Sequence, residues 1–156
     1  GLDAKPGLLD HVFGGGGGGN AASESGLLVL RVCTGGFLAV GHGWPKATNP
    51  SGFTGAVEAM GFPVPAVSAW FAIGGELVGG ALLALGLATR LASLWIIGVF
   101  FGAAFIANGD GFASMEAFFL PADGSPEPAV MYLLLGVTFL FTGSGRTGVD
   151  RFLRKN

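Results

Sequence analysis

The feature that most constrains the fold of this chain is the apolar run Gly26–Trp44, which carries one charged residue, Arg31. At a rise of about 1.5 Å per residue, a helix of this length crosses the hydrocarbon core of a bilayer. A cation well inside such a helix costs at least about 2.5 kcal/mol unless it is paired or reaches water. The run therefore predicts a membrane-spanning helix, and it requires a partner for Arg31.

Glu76 is the acidic residue that the sequence offers as this partner, because it lies inside another apolar run, GGELVGG. Consecutive spans of a bundle run antiparallel, so we predict an ion pair between Arg31 and Glu76. Two roles stay open for this pair. A buried ion pair can fix the register of the helices, and intramembrane charges can also mark a proton or anion site.

Long apolar runs dominate the chain and indicate a polytopic membrane protein. After the first run, the others lie at about 64–88, 91–107 and 129–142. Only 12% of the residues are charged, against about 25% in soluble domains, and the mean hydropathy is +0.64. Lipid admits only helices or closed barrels, and no run alternates like a barrel strand. We therefore predict an all-α fold, a four-transmembrane-helix bundle.

The distribution of basic residues predicts the orientation of the bundle. In a four-span arrangement, the N-terminal segment, the turn between spans two and three, and the C-terminal tail share one side. The other side holds only Lys46 among the bases outside the spans. By the positive-inside rule, both termini are predicted to be cytoplasmic and the acidic connector 108–128 to lie outside. The bases on the cytoplasmic side are Lys5, Arg90, Arg146, Arg151, Arg154 and Lys155.

The chain divides into an N-terminal extension at 1–25, a transmembrane domain at 26–153 and a short basic tail at 154–156. The extension includes the glycine run Gly14–Gly19. It either lies on the membrane surface as a short helix or forms an unstructured tail. Because glycine lets another backbone approach closely, we predict that the extension docks on a partner protein. The residues predicted to make this contact are Leu8, Leu9, Val12 and Phe13.

Glycine pairs with GxxxG spacing occur in the second span, at Gly75 and Gly79, and in the third, at Gly98 and Gly102. This spacing places both glycines of a pair on one helix face, where a neighbouring helix can approach closely. We predict that both pairs serve helix packing.

His42 lies near the outer end of the first span, between two glycines that leave its ring open. Such a histidine binds a quinone headgroup, a lipid or a macrocycle pigment, or relays protons. The alternative is a hydrogen-bonded interfacial histidine. No second ligand stands close by in the sequence, so no metal site is predicted. Trp44, an interfacial aromatic, and the charged residues Lys46 and Glu58 complete the candidate ligand-binding set.

Several function classes are excluded by composition and motifs. The single cysteine, Cys33, excludes an internal disulfide and a CxxC redox site. The net charge of −2 argues against a nucleic-acid partner. The chain contains no GxGxxG, P-loop, Ser-His-Asp or HExxH arrangement. No catalytic residues are therefore predicted.

Short motifs follow one another in a fixed order along the chain. They are Arg31 in the first span, His42-Gly43-Trp44 with Lys46, Gly52-Phe53, Glu76 in GGELVGG, Gly86 with Thr89-Arg90, Gly145-Arg146, and Asp150-Arg151. In this order they resemble the DoxX family over about residues 26–153. The resemblance implies a four-helix protein of the inner (cytoplasmic) membrane of bacteria or archaea. The founding relatives belong to a thiosulfate:quinone oxidoreductase, and other members are linked to membrane redox complexes.

The functional prediction combines these observations. We predict an accessory membrane subunit of a larger respiratory or photosynthetic electron-transfer assembly, without catalysis of its own. Its partners are then other membrane subunits and the bilayer. The alternative is a quinone-interacting subunit of a membrane oxidoreductase, with the quinone near His42. Proton-coupled transport is less well supported, because the four short spans show no repeat.

Overall fold

The computed structural model describes residues 21–119 and 125–153, and these contain helices and turns but no β-strand. The prediction of an all-α fold is therefore confirmed for the described residues. In chain order the helices are α1 (Ala21–Thr48), α2 (Pro50–Ala59), α3 (Pro65–Leu85), α4 (Thr89–Ala107), α5 (Met115–Phe119), α6 (Glu127–Thr142) and α7 (Val149–Leu153). A 3₁₀ turn, Gly109–Ala113, precedes α5. The predicted docking residues Leu8, Leu9, Val12 and Phe13 and the basic tail 154–156 lie outside these ranges.

Three of these helices are long and apolar enough to cross a membrane, namely α1, α3 and α4. Their bounds follow the apolar runs of the sequence to within a few residues. The predicted fourth span corresponds to α6, an apolar helix of 16 residues that is shorter than the other three. The fold is thus that of a multi-pass membrane protein.

Close glycine contacts hold α1 against α3. A Cβ atom at Gly35 would collide with the backbone of Gly80 and Ala84, and one at Gly43 would collide with Leu77. The two backbones therefore touch, which suits a membrane bundle whose helices associate by packing and not by exclusion of water. Neither of these glycines on α1 belongs to a predicted pair.

The predicted glycine pairs both lie at the α3–α4 boundary. Gly75 faces Trp95 and Val99 of α4, and Gly79 lies in ordinary contact with Ile96. On α4, Gly98 and Gly102 face phenylalanine rings and no helix backbone. On the other side of α4, Gly136 of α6 packs against Ser93 and Ile97. The core between these helices contains Leu38, Leu83, Ile96, Val99, Phe100 and Phe139.

In the described residues, three π-helical turns interrupt the spanning helices. Two of them lie beside each other, Phe37–Gly43 in α1 and Gly75–Gly79 in α3, and the third, Ala103–Ala107, forms the end of α4. In the first, the Trp44 amide donates to Ala39, five residues back. The run predicted as the first span ends at Trp44, and Pro45 after it disfavours a longer helix because it lacks an N–H group. The wider hydrogen-bond spacing lets the helix continue through Pro45 to Thr48. π-Turns of this kind are frequent at functional sites.

Candidate functional site

Lys46 and Glu76 form an ion pair between the end of α1 and the π-turn of α3. The Lys46 Nζ atom donates to both carboxylate oxygens of Glu76, each at 2.6 Å. The Glu76 side chain is 3% exposed and that of Lys46 is 26% exposed. Lys46 Nζ also stands 4.8 Å from the centre of the Phe53 ring of α2, within cation–π range. The pair is thus tied to three helices.

This arrangement corrects the predicted ion pair between Arg31 and Glu76. Arg31 is 2% exposed, and its NH1 group donates to the carbonyls of Leu83 at 3.0 Å and Ala84 at 2.9 Å. Those carbonyls lie about two helical turns, or roughly 10 Å, from Glu76 along α3. Arg31 is therefore too far along the bundle to reach Glu76. Lys46 reaches it because α1 continues past Pro45.

The ion pair lies in the wall of a cavity of about 400 Å³. Aromatic and aliphatic side chains from α2, α3, α4 and the connector between α2 and α3 form most of its lining, including Phe53, Val57, Phe62 and Val99. Two further polar residues, Ser68 and Asn108, donate hydrogen bonds to backbone carbonyls of their own segments. The charged groups at the cavity are therefore Lys46 and Glu76. A site of this size and lining suits a small, mostly apolar molecule with one polar end.

His42 contacts Tyr132 of α6 and is exposed. The Tyr132 hydroxyl stands 3.4 Å from His42 Nε2, and the two rings meet edge to face with centroids 5.4 Å apart. The Phe100 ring stacks on the Tyr132 ring, with the two ring centroids 4.8 Å apart. The histidine is therefore paired with Tyr132, and it does not line the cavity.

The remaining predicted ligand residues stand apart. Trp44 is 59% exposed and Glu58 is exposed on α2. Neither of them lines the cavity. Of the four predicted ligand-binding residues, the structure places only Lys46 there, and it adds Glu76.

A second charged cluster surrounds the turn between α3 and α4. Asp150 is 0% exposed. Its carboxylate accepts from the Ala88 amide at 2.6 Å and from the Thr89 amide and hydroxyl at 3.1 and 2.9 Å. Arg31 thus caps the carbonyl end of α3, while Asp150 caps the amide end of α4, as the helix dipoles favour.

The backbone of the turn fits this cluster closely. Gly86 ends α3 with φ +69°, and a Cβ atom there would collide with Arg31 and Gly148. The Asp150 amide donates to the Gly86 carbonyl at 2.9 Å. Four residues before Asp150, the Arg146 amide donates to the buried Glu24 carboxylate of α1 at 2.7 Å. Among the described residues, Arg31 Nε is buried without a hydrogen-bond partner. The Arg31 NH1 group and the Asp150 carboxylate are hydrogen-bonded to helix ends, so we assign the cluster a structural role.

Sequence reasoning missed Asp150, Phe53 and Tyr132 as members of these clusters. Tyr132 is the single tyrosine of the chain and lies within an apolar run, which is a signal of its own. Asp150 belonged to a noted motif, but nothing in the sequence placed it at the α3–α4 turn. In the described parts of the chain, no three His, Cys, Asp or Glu residues come together as a metal-binding group.

Comparisons with known proteins agree with the motifs. The family model described as DoxX matches residues 26–109, a range that includes Arg31, Lys46 and Glu76. The chain is 33% identical over 137 residues to a Bacillus subtilis (strain 168) protein named "Putative oxidoreductase CatD". This similarity covers 87% of the chain and 92% of that protein. No solved structure matches the chain.

Proposed function

Because the chain belongs to the DoxX family, we propose that it is an accessory membrane subunit of an electron-transfer assembly and binds a quinone headgroup beside Lys46 and Glu76. It performs no bond-making chemistry of its own. Another subunit supplies or accepts the electrons, and this chain holds the quinone in place. The name of the Bacillus subtilis relative, which refers to an oxidoreductase, supports this direction.

The cavity supports this proposal by its size and its chemistry. Its volume of about 400 Å³ lies in the usual range of small-molecule sites, about 300–1,000 Å³. A quinone ring is flat and apolar and carries carbonyl oxygens. Lys46 Nζ can donate to such a carbonyl, and Glu76 can accept from the hydroxyl of the reduced form. The aromatic lining suits the ring.

The observation that carries the proposal is the buried ion pair in the wall of an otherwise apolar cavity. Burying two charges contributes little to stability, because desolvation offsets most of their attraction. A pair that only held α1 to α3 would be packed on all sides. This pair instead faces a space that a ligand can enter.

The proposal is tested by measuring quinone binding to the purified protein in detergent. The quenching of tryptophan fluorescence reports the binding. The double variant Lys46→Met with Glu76→Leu removes both charges together, so no unpaired charge is left to unfold the bundle. We expect its dissociation constant to rise about tenfold or more, equivalent to about 1.4 kcal/mol.

The matched control is Glu58→Gln, which changes an exposed carboxylate outside the cavity and is expected to bind like the wild type. Wild-type protein that binds no quinone would contradict the proposal. Equal binding by the double variant would place the quinone elsewhere.

The topology that accompanies this function has four spans, with α6 as the fourth and both termini in the cytoplasm. The positive-inside distribution of bases supports it, and the family resemblance supports an inner membrane of bacteria or archaea. Asp110→Cys in a Cys33→Ala background tests the orientation with a membrane-impermeant thiol reagent. Labelling from the outer face is expected, and labelling only from the cytoplasmic face would contradict the topology.

The role of an accessory subunit rests on a partner contact by residues 1–25. Deleting residues 1–20 leaves all of α1 in place. We expect the shortened protein to fold but to lose the membrane subunits that co-purify with the full chain in mild detergent. If the shortened protein still co-purified with the same membrane subunits, the proposed partner contact by this segment would be contradicted. The double variant Leu8→Ser with Phe13→Ser provides a milder version of the test.

A further inference from the structure

We infer that the cavity opens sideways into the hydrocarbon between α3 and α4, and that the apolar tail of the ligand leaves through this opening. The lateral opening is defined by Val67 and Phe71 on α3 and by Gly98 and Gly102 on α4, all of which line the cavity. The inference rests on the proposed function, because it adds a tail and a route of entry to the same head-group site.

The contact between α3 and α4 changes character at the level of Trp95. There the helices are locked together, because Trp95 Nε1 donates to the Phe71 carbonyl at 2.9 Å and the indole packs against Gly75. Beyond this level the space over the glycines of α4 is filled by rings. A Cβ atom at Gly98 would meet only the Phe71 ring, at 3.2 Å, and one at Gly102 only the Phe62 ring, at 3.1 Å.

A contact made by rings can open, whereas a backbone contact cannot. The Phe71 and Phe62 side chains turn about their own rotatable bonds without moving a helix. Glycine at 98 and 102 leaves a smooth floor over which a ring or a ligand chain can pass. The same two glycines that were predicted to pack helices therefore form the floor of the opening.

The mouth of the opening is apolar. Val67 is 65% exposed and Phe71 is 47% exposed, and both belong to α3, a candidate membrane span. Contact of such an apolar surface with the hydrocarbon chains of lipid or ligand is favourable, whereas its exposure to water costs free energy. A ligand that arrives from the bilayer therefore reaches the ion pair without crossing an aqueous layer.

The charge of the site narrows the class of ligand. Lys46 and Glu76 neutralise each other at 2.6 Å, so the cavity carries little net charge and gives a small anion no advantage. It suits an uncharged head that bears hydrogen-bonding oxygens and is joined to a long apolar chain. This class includes long-chain quinones and excludes thiosulfate-like anions as occupants of the cavity.

The inference is tested with two probes that share one headgroup, decylubiquinone and the same benzoquinone without the decyl chain. Gly98→Leu places a branched side chain in the opening. Overfilling such a contact is expected to weaken decylubiquinone binding about tenfold, while tail-free benzoquinone binds as it does to the wild type. Gly36→Leu on α1 is the matched control, because a Cβ atom there meets nothing within 4 Å.

A second variant keeps the test informative if Gly98→Leu does not fold. Phe71→Ala removes the ring from the opening and is expected to speed the association of decylubiquinone in stopped-flow measurements, with no change for the tail-free probe. Equal effects on both probes, or no effect of either variant, would overturn the lateral opening. Wild-type protein that binds neither probe would instead refute the proposed function, and this inference with it.

Discussion

The two charged clusters of this bundle differ in what their charges meet. At the α3–α4 turn, Arg31 and Asp150 meet the ends of helices, where carbonyls and amides accept and donate hydrogen bonds. In the cavity, Lys46 and Glu76 meet each other. The first cluster is enclosed by the chain, whereas the second borders an open apolar space of about 400 Å³.

The difference teaches how to tell a structural charge from a ligand-binding one in a small membrane bundle. The Asp150 carboxylate accepts three hydrogen bonds from neighbouring backbone and hydroxyl groups. Within the described residues, the hydrogen bonds to Glu76 come from Lys46 alone. Its carboxylate oxygens therefore keep capacity for a further donor. Burial alone does not separate the clusters, because both contain a carboxylate that is almost fully buried.

The largest expected effect is that of Asp150→Ala on stability. The change removes the acceptor of three hydrogen bonds at the start of α4 and leaves their donors without it. We expect the free energy of unfolding to fall by about 3–5 kcal/mol, measured by circular dichroism during unfolding in detergent. Asp110→Ala, at an exposed carboxylate, should change it little. If Asp150→Ala lowered the free energy of unfolding by less than about 1 kcal/mol, the structural role assigned to this cluster would be contradicted.

A smaller effect is expected for Lys46→Met, about 2 kcal/mol, because this lysine is partly exposed and solvent already screens part of its attraction to Glu76. Adding Glu76→Leu should recover most of the loss, since no unpaired buried charge then remains. A double-mutant cycle on the free energy of unfolding measures this coupling. If the double variant were less stable than the single one, the cavity pair would be as structural as the Arg31 cluster.

The smallest effect is expected for Tyr132→Phe. The hydrogen bond to His42 is long, at 3.4 Å, and the stacking on Phe100 is retained by phenylalanine. We expect a loss of less than about 1 kcal/mol in unfolding free energy and unchanged quinone affinity. Phe100→Leu, which removes the stacking partner instead, serves as the comparison. A loss of quinone binding in Tyr132→Phe would extend the cavity site to His42.

The helical fold was predictable because the apolar runs are uninterrupted. The second run was predicted at 64–88 and α3 spans Pro65–Leu85, while the third run was predicted at 91–107 and α4 spans Thr89–Ala107. Hydropathy fixes such segments locally.

The ion pairs were not predictable in the same way, because they depend on helix register and on one local irregularity. Arg31 and Glu76 were the charges inside apolar runs, so pairing them was reasonable. No local sequence pattern indicates the π-turn before Pro45. Because the helix continues past this turn, Lys46 lies on the helix and contacts Glu76. Asp150 reaches Ala88 across 62 residues of chain, a distance that local patterns do not report.

The tail that carries Asp150 has a consequence for how the bundle is made. Asp150 is synthesised 62 residues after Ala88, and Arg146 follows its partner Glu24 by 122 residues. During this interval the hairpin turn exposes uncapped amides at Ala88 and Thr89. The bundle therefore lacks these hydrogen bonds until the tail folds back onto the turn. A premature stop before residue 146 would remove the contacts of both Asp150 and Arg146, and the amides of Ala88 and Thr89 would stay without their acceptor.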